Sequence, residues 1–220
     1  MKRPGLPLLI SLPKGKMEVK KITVGIFQTN CYLVKKGNSS FIIDPGDEGE
    51  RIIEWIEEEG ISPSFILNTH AHLDHIGAVK FLQERLRIPF YIHQEEKEIL
   101  LNPGSNFFPL SSYSPLSPDG WLEEGNLKWK EGWIEILHTP GHTPGSICIR
   151  VENLLFTGDT LFKESVGRCD LPGGDEEKLR RSLERLKKLP DEWKVFPGHG
   201  PSSLLGEEKK NNPYLNGEIS

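Results

Sequence analysis

Five of the chain's seven histidines fall in three short motifs, and each motif closes an apolar, strand-like run. The first motif is Thr69-His70-Ala71-His72-Leu73-Asp74-His75. The second is Thr139-Pro140-Gly141-His142-Thr143-Pro144-Gly145, and the third is Phe196-Pro197-Gly198-His199-Gly200. Between the last two lies Thr157-Gly158-Asp159-Thr160. Five imidazoles and two carboxylates have little use in a core, where unpaired polar groups are costly. They have an evident use around a pair of metal ions. A fold that suits this chain must therefore bring strand ends, distant in sequence, to one place.

Composition bounds the rest. A chain of 220 residues fits one domain with a modest extension and can bury a large core. With 36% hydrophobic and 27% charged residues it reads as globular. A net charge of -5 argues against a nucleic-acid surface. Cys31, Cys148 and Cys169 are few, odd in number and unclustered, which points to a reducing, cytoplasmic setting and not to a disulfide framework. The basic Met1-Lys2-Arg3 and the apolar Leu6 to Leu12 imitate a signal peptide, but Pro4, Pro7 and Pro13 interrupt it and no small-residue cleavage site follows. Residues 1–16 are expected to be an extension and residues 17–220 a single domain. No apolar run approaches the roughly 18 residues of a membrane span, so no membrane is expected as a partner.

Apolar, β-rich runs recur at Val19–Val24, Cys31–Lys35, Phe41–Asp44, Phe65–Asn68 and Phe90–His93. Others lie at Leu127–Trp129, Ile134–His138, Ser146–Arg150, Leu154–Thr157 and Lys194–Pro197. Helical spacing of apolar residues marks Glu48–Glu59, Asp74–Leu86, Glu95–Leu101 and Asp175–Leu189. In the last of these Asp175 can cap the start and Pro190 ends it, with acids early and bases late to suit the helix dipole. Strands alternating with helices in both halves predict two mixed sheets with helices outside. The irregular stretch from Asn102 to Asp119, rich in Pro and Ser, reads as a lid or substrate wall, or else a packed surface loop or subunit contact.

His70, His72, Asp74 and His75 are placed on a tight loop at the end of the Phe65–Asn68 run. His-x-His offers two ligands to one metal, and Asp-His two to a second. His142, Asp159 and His199 each follow a strand-like run in glycine-rich punctuation, so all seven ligands lie just past strand ends. Outside the motifs, His93 reads as an ordinary core or surface residue. His138, four residues before His142, is a candidate support for the ligand loop.

These motifs resemble the metallo-β-lactamase superfamily, whose hallmark is His-x-His-x-Asp-His followed by His, Asp and His. The likeness spans roughly residues 17–215. It implies an α+β fold, the four-layer αββα sandwich of two mixed β-sheets with helices on the outer faces. Within that superfamily the chain is similar to glyoxalase II, the hydroxyacylglutathione hydrolases, of the short bacterial type. The similarity rests on the His70, His142 and Asp159 motifs and on Gly167-Arg168-Cys169-Asp170-Leu171-Pro172-Gly173-Gly174-Asp175. It implies that His70, His72 and His142 bind one metal, that Asp74, His75 and His199 bind the other, and that Asp159 bridges them. Asp44, in Ile43-Asp44-Pro45-Gly46, matches an aspartate that supports the ligand loop.

The resemblance further implies two divalent metal ions, with zinc as the leading expectation and iron or manganese as alternatives. The implied reaction is hydrolysis of a small-molecule thioester of the S-D-lactoylglutathione type through a metal-bridging hydroxide, which Asp74 would help orient. Arg168 is a candidate for binding a substrate carboxylate, against a structural ion pair, and Cys169 reads as a spectator thiol. The family's C-terminal helical domain, which contributes to the glutathione site, has no counterpart after His199. Rival readings are a persulfide dioxygenase with one iron, which shares a Gly-Arg-x-Asp segment, and other hydrolases such as lactonases or β-lactamases. A binding protein that had lost catalysis would be expected to lack ligands, and all seven are present. Oligomeric state is open.

Overall fold

The computed structural model describes residues 15–101 and 116–218. Most of the expected N-terminal extension and of the 102–119 stretch therefore lies outside the described residues.

Among the described residues the elements run β1 (Met17–Val24), β2 (Thr29–Lys36), β3 (Ser39–Ile43), α1 (Gly49–Glu58), β4 (Ile66–Leu67), α2 (Leu73–Ile76), α3 (Val79–Leu86), β5 (Phe90–His93), α4 (Lys97–Leu101) and β6 (Gly120–Leu122). They continue with β7 (Gly125–Trp129), β8 (Gly132–His138), β9 (Ile147–Val151), β10 (Leu154–Gly158), β11 (Leu161–Phe162), β12 (Ser165–Val166), α5 (Glu176–Leu186), β13 (Lys194–Pro197), β14 (Ser203–Leu204), α6 (Leu205–Asn211) and α7 (Pro213–Asn216).

The strands form two six-stranded mixed sheets, in the orders β1-β2-β3-β4-β5-β6 and β14-β13-β10-β9-β8-β7, with β11 and β12 as a separate hairpin. In the first sheet β1, β2 and β3 are antiparallel, and β3 to β6 run parallel. In the second, β10 and β13 are parallel and the other neighbours antiparallel.

The two-residue period of a strand explains the layering. Tyr32, Val34, Phe41, Ile43 and Leu67 of the first sheet meet Trp129, Ile134, Ile147, Ile149 and Phe156 of the second in one apolar layer. The residues between them face outward. Cys31, Leu33, Ile42 and Ile66 pack with Ile52, Ile56, Val79 and Leu82 of α1 and α3. Cys148 and Leu155 pack with Leu179, Leu183 and Leu186 of α5 and with Leu205 and Leu215. The central strands are thus buried on both faces, which is why they read as unbroken apolar runs. Three apolar layers between four layers of structure make the expected αββα sandwich.

The predicted helix over Asp74–Leu86 is broken in two. Gly77 and Ala78 separate α2 from α3, because the Pro45-Gly46 loop wedges against them. Ala78 N–H donates to Pro45 O at 3.1 Å. Gly46 lies so close that a Cβ there would be 1.6 Å from Asp74 O. This wedge matters because it presses the loop after β3 onto the first histidine motif. The predicted Asp175 cap is present, its carboxylate accepting from Lys178 N at 2.9 Å.

Candidate metal centre

The fold places the motifs on one edge of the sandwich. The His70 loop leaves β4, the His142 loop joins β8 to β9, Asp159 follows β10 and His199 follows β13. Backbone bonds pin these loops to one another. Ile147 N donates to Thr69 O at 3.0 Å, Gly198 N to Gly158 O at 2.8 Å, and Asn30 N to Gly198 O at 2.7 Å. Only glycine fits at 198, where a Cβ would fall 2.2 Å from Asp159 Oδ1 and 2.7 Å from His75 Cε1.

All seven predicted residues converge. His70, His72 and His142 form one triplet of ligand atoms, and Asp74, His75 and His199 another, each with its atoms within 4.8 Å of one another. Asp159 lies between them. Its Oδ1 is 3.3 Å from His75 Nε2, and its Oδ2 is 3.5 Å from both His142 Nε2 and His199 Nε2.

Four of the five rings have one nitrogen held from outside. Asp44 Oδ2 lies 2.9 Å from His75 Nδ1, and Thr69 Oγ1 lies 3.1 Å from His70 Nδ1. Arg168 O lies 2.7 Å from His142 Nδ1, and Phe27 O lies 3.0 Å from His199 Nδ1. These acceptors take the Nδ1–H and leave Nε2 facing inward, which is how imidazole ligands are oriented. For His72 it is Nδ1 that faces in, 2.8 Å from His142 Nε2. His70 Nε2 is buried without a hydrogen-bond partner, and Asp159 Oδ1 has only His75 Nε2 near it, at 3.3 Å. Buried polar atoms are rarely left so. Inward lone pairs and orphaned acceptors of His and Asp type fit divalent cations of the zinc, iron and manganese group.

The electrostatics agree. Burial opposes ionisation of Asp74, but His75 and His199 beside it bring its carboxyl down to about 2. Asp159 follows the same balance and is held well below the usual carboxylate range. Burial and the neighbouring rings keep His70 neutral and bring His72 down to about 3. Burial also opposes charge on His75 and His199, yet the surrounding aspartates prevail. His75 is held well above the ordinary value, and His199 is raised to about 9. Both therefore carry a proton at neutral pH in the metal-free protein. A metal ligand must be unprotonated. Zinc loading near pH 7 should therefore release a proton from each of these histidines, and affinity should fall as the pH is lowered. Calorimetry in buffers of different ionisation enthalpy checks this, and zinc uptake with no proton release contradicts it.

The supporting residues fall where the sequence placed some and hid others. Asp44 lies beneath the first motif and also accepts from Thr69 N at 2.8 Å and Thr69 Oγ1 at 2.6 Å. His138 does not enter the cluster. Its Nε2 is 2.9 Å from Pro144 O, and its ring stacks on His93 at 4.2 Å. It thus braces the far side of the His142 loop. Arg168 gives its carbonyl to His142, while its guanidinium pairs with Asp170 through two 2.7 Å bonds. Burial and the acids Glu176, Asp175 and Asp170 push the Cys169 thiol up, so it is no ready thiolate.

Two supports were not anticipated. Thr29 Oγ1 donates to Asp74 Oδ2 at 2.9 Å. Glu96 is fully buried and accepts from both histidine loops. Burial raises its carboxyl to about 7, against the pull of those hydrogen bonds. Neither carries a motif signal: Glu96 is one acid among Gln94-Glu95-Glu96-Lys97-Glu98, and only the fold distinguishes it.

The cluster opens into a cleft of about 360 Å³. Phe27, Leu73, Phe162, Val166 and Leu171 line its apolar part, with Arg168 at one side.

The sequence profile described as the metallo-beta-lactamase superfamily matches residues 24–199. A Haemophilus influenzae protein named hydroxyacylglutathione hydrolase GloC is 39% identical over 210 residues, covering 91% of this chain and 99% of its own. The crystal structure of the BLEG-1 B3 metallo-beta-lactamase superposes with a TM-score of 0.84 at 38% identity, over 90% of this chain and 99% of that one. The crystal structure of TTHA1623 in a di-iron-bound form gives a TM-score of 0.82 at 41% identity, over 89% and 100%.

Proposed function

Because the chain belongs to the metallo-beta-lactamase superfamily and is built as a metal-dependent hydrolase, we propose that it hydrolyses small-molecule thioesters of the hydroxyacylglutathione type with two divalent ions. His70, His72 and His142 would hold one ion, Asp74, His75 and His199 the other, and Asp159 both. One observation carries this reading: two triplets of inward-facing ligand atoms share a single, largely buried carboxylate. The likeness to the Haemophilus influenzae hydrolase supports the substrate class. The identity of the metal is left to zinc, iron or manganese, since the His and Asp donors accept each. Three unpaired cysteines suit a cytoplasmic setting. No helix among the described residues is long and apolar enough to cross a membrane.

When bound, such a metal pair supplies Lewis acidity at the carbonyl oxygen and a hydroxide at neutral pH. The chain's own residues do the rest. Thr29 fixes Asp74, and Asp44 fixes the tautomer of His75. The apolar wall of Phe27, Leu73, Phe162, Val166 and Leu171 can take up an acyl or thiol chain and exclude water around it. The polar side chains lining the cleft are His, Asp and Arg. Hydrolysis breaks the acyl C–S bond and forms a C–O bond, and a thiolate leaves without needing a strong acid. That suits a site composed of His and Asp.

The test is hydrolysis of S-D-lactoylglutathione by protein reconstituted separately with zinc, manganese and iron, with chelated protein as the blank. Efficient metal-dependent turnover is expected. Two bound metals with turnover at the level of the blank would overturn the thioester reading and turn the search to lactones, β-lactams and persulfides.

A further inference from the structure

Glu96 occupies the short 3-10 turn Gln94–Glu96 between β5 and α4, fully buried, and its hydrogen bonds go to the residues beside the candidate ligands, not to the ligands themselves. Its carboxylate nevertheless joins both loops of the first triplet. Oε2 accepts from Ala71 N at 2.7 Å, and Ala71 lies between His70 and His72. Oε1 accepts from Thr143 Oγ1 at 2.5 Å and from Gly145 N at 2.7 Å, and Thr143 follows His142. Gly145 presses against it so closely that a Cβ there would lie 2.7 Å from Glu96 Cγ.

The two loops come from different sheets, β4 in the first and the β8–β9 connection in the second. The triplet His70, His72 and His142 is therefore assembled across the gap between sheets. The other triplet has its own anchors, Thr29 on Asp74 and Asp44 on His75. We propose that Glu96 is a positioning residue, a carboxylate clamp that sets the spacing of the His70–His72 loop from the His142 loop and so the metal affinity of that triplet alone. The inference rests on the metal-centre reading above.

Geometry makes the conservative variant informative. In Glu96→Gln one oxygen becomes an NH₂ group. If the remaining oxygen stays with Thr143 and Gly145, the NH₂ confronts Ala71 N–H, donor against donor. The clamp then holds only one loop. Loss of such outer support costs about 10- to 100-fold in metal affinity.

The experiment is a zinc titration of the full chain against a chromophoric chelator, with Glu96→Gln and Glu208→Gln in parallel. Glu208 is another buried acid, bonded to Glu164 N and Asn212 Nδ2 away from the cluster. Wild type and Glu208→Gln should each bind two zinc ions with the same affinities. Glu96→Gln should bind one ion as wild type does and the other about 10- to 100-fold more weakly. If Glu96→Gln binds both ions like wild type, the clamp is refuted. Equal weakening in both variants refutes it too, since that would be general loosening. Wild type that binds no zinc refutes the metal reading itself, and the clamp with it. Should Glu96→Gln not fold, Thr143→Ala removes one clamp contact and is read the same way: selective weakening of one ion supports the clamp, unchanged binding of both overturns it.

Discussion

Asp159→Ala is expected to lose bound metal and at least about 10³-fold in kcat/KM for S-D-lactoylglutathione. The carboxylate lies within 3.3 to 3.5 Å of His75, His142 and His199, so among the described residues it is the acidic group that reaches both triplets. Lewis-acid stabilisation by a bound ion contributes several kcal/mol, and each 1.36 kcal/mol is about tenfold in rate. Folding should survive, because both carboxylate oxygens lie among the site's histidines and not in the apolar core. Zinc content, steady-state kinetics and a thermal melt of the metal-free protein check the three parts. An Asp159→Ala protein that keeps both ions and full turnover would sink the shared-carboxylate assignment.

That Asp159 belongs with the histidines was legible in the sequence, because each motif ends an apolar run and strand ends on one sheet edge must converge. The layered core was legible for the same reason: β2, β3, β9 and β10 are apolar on both faces. Elements fixed by contact and not by period were not legible. β11, β12 and β14 are two residues long and leave no alternation to read. Helices α6 and α7 are one or two turns long. The break at Gly77 follows from the Pro45-Gly46 wedge, a contact made across more than thirty residues of chain, and helical spacing continues straight through it. Glu96 is the sharpest case. An acid in a charged run reads as a solvated face, yet this one is turned inward, because two loops from different sheets present it with N–H and O–H donors.

Asp44 offers a test that separates holding the fold from holding the ligand. Its carboxylate satisfies Thr69 N, Thr69 Oγ1 and His75 Nδ1, all buried. Asp44→Ala strands those donors, and each buried unsatisfied donor costs about 1–3 kcal/mol. Ala also tolerates the left-handed backbone here, φ 50°, less well than Asp does. A loss of about 3–5 kcal/mol is expected, a drop in Tm on the order of 10 °C for a domain this size. Asp44→Asn should behave differently. It fills the same volume, its oxygen can keep Thr69 N, and its NH₂ can donate to Thr69 Oγ1, which still accepts from His70 Nδ1. The NH₂ cannot accept from His75, so the ring must take the tautomer with the proton on Nε2. That proton then points at Asp74 and Asp159, where the lone pair is needed. Asp44→Asn should therefore melt within a few degrees of wild type yet bind one zinc ion about 10- to 100-fold more weakly. A chelator titration beside a melting curve reads both quantities. If Asp44→Asn binds two zinc ions as tightly as wild type, Asp44 supports the loop only through Thr69, and its control of the His75 tautomer is wrong.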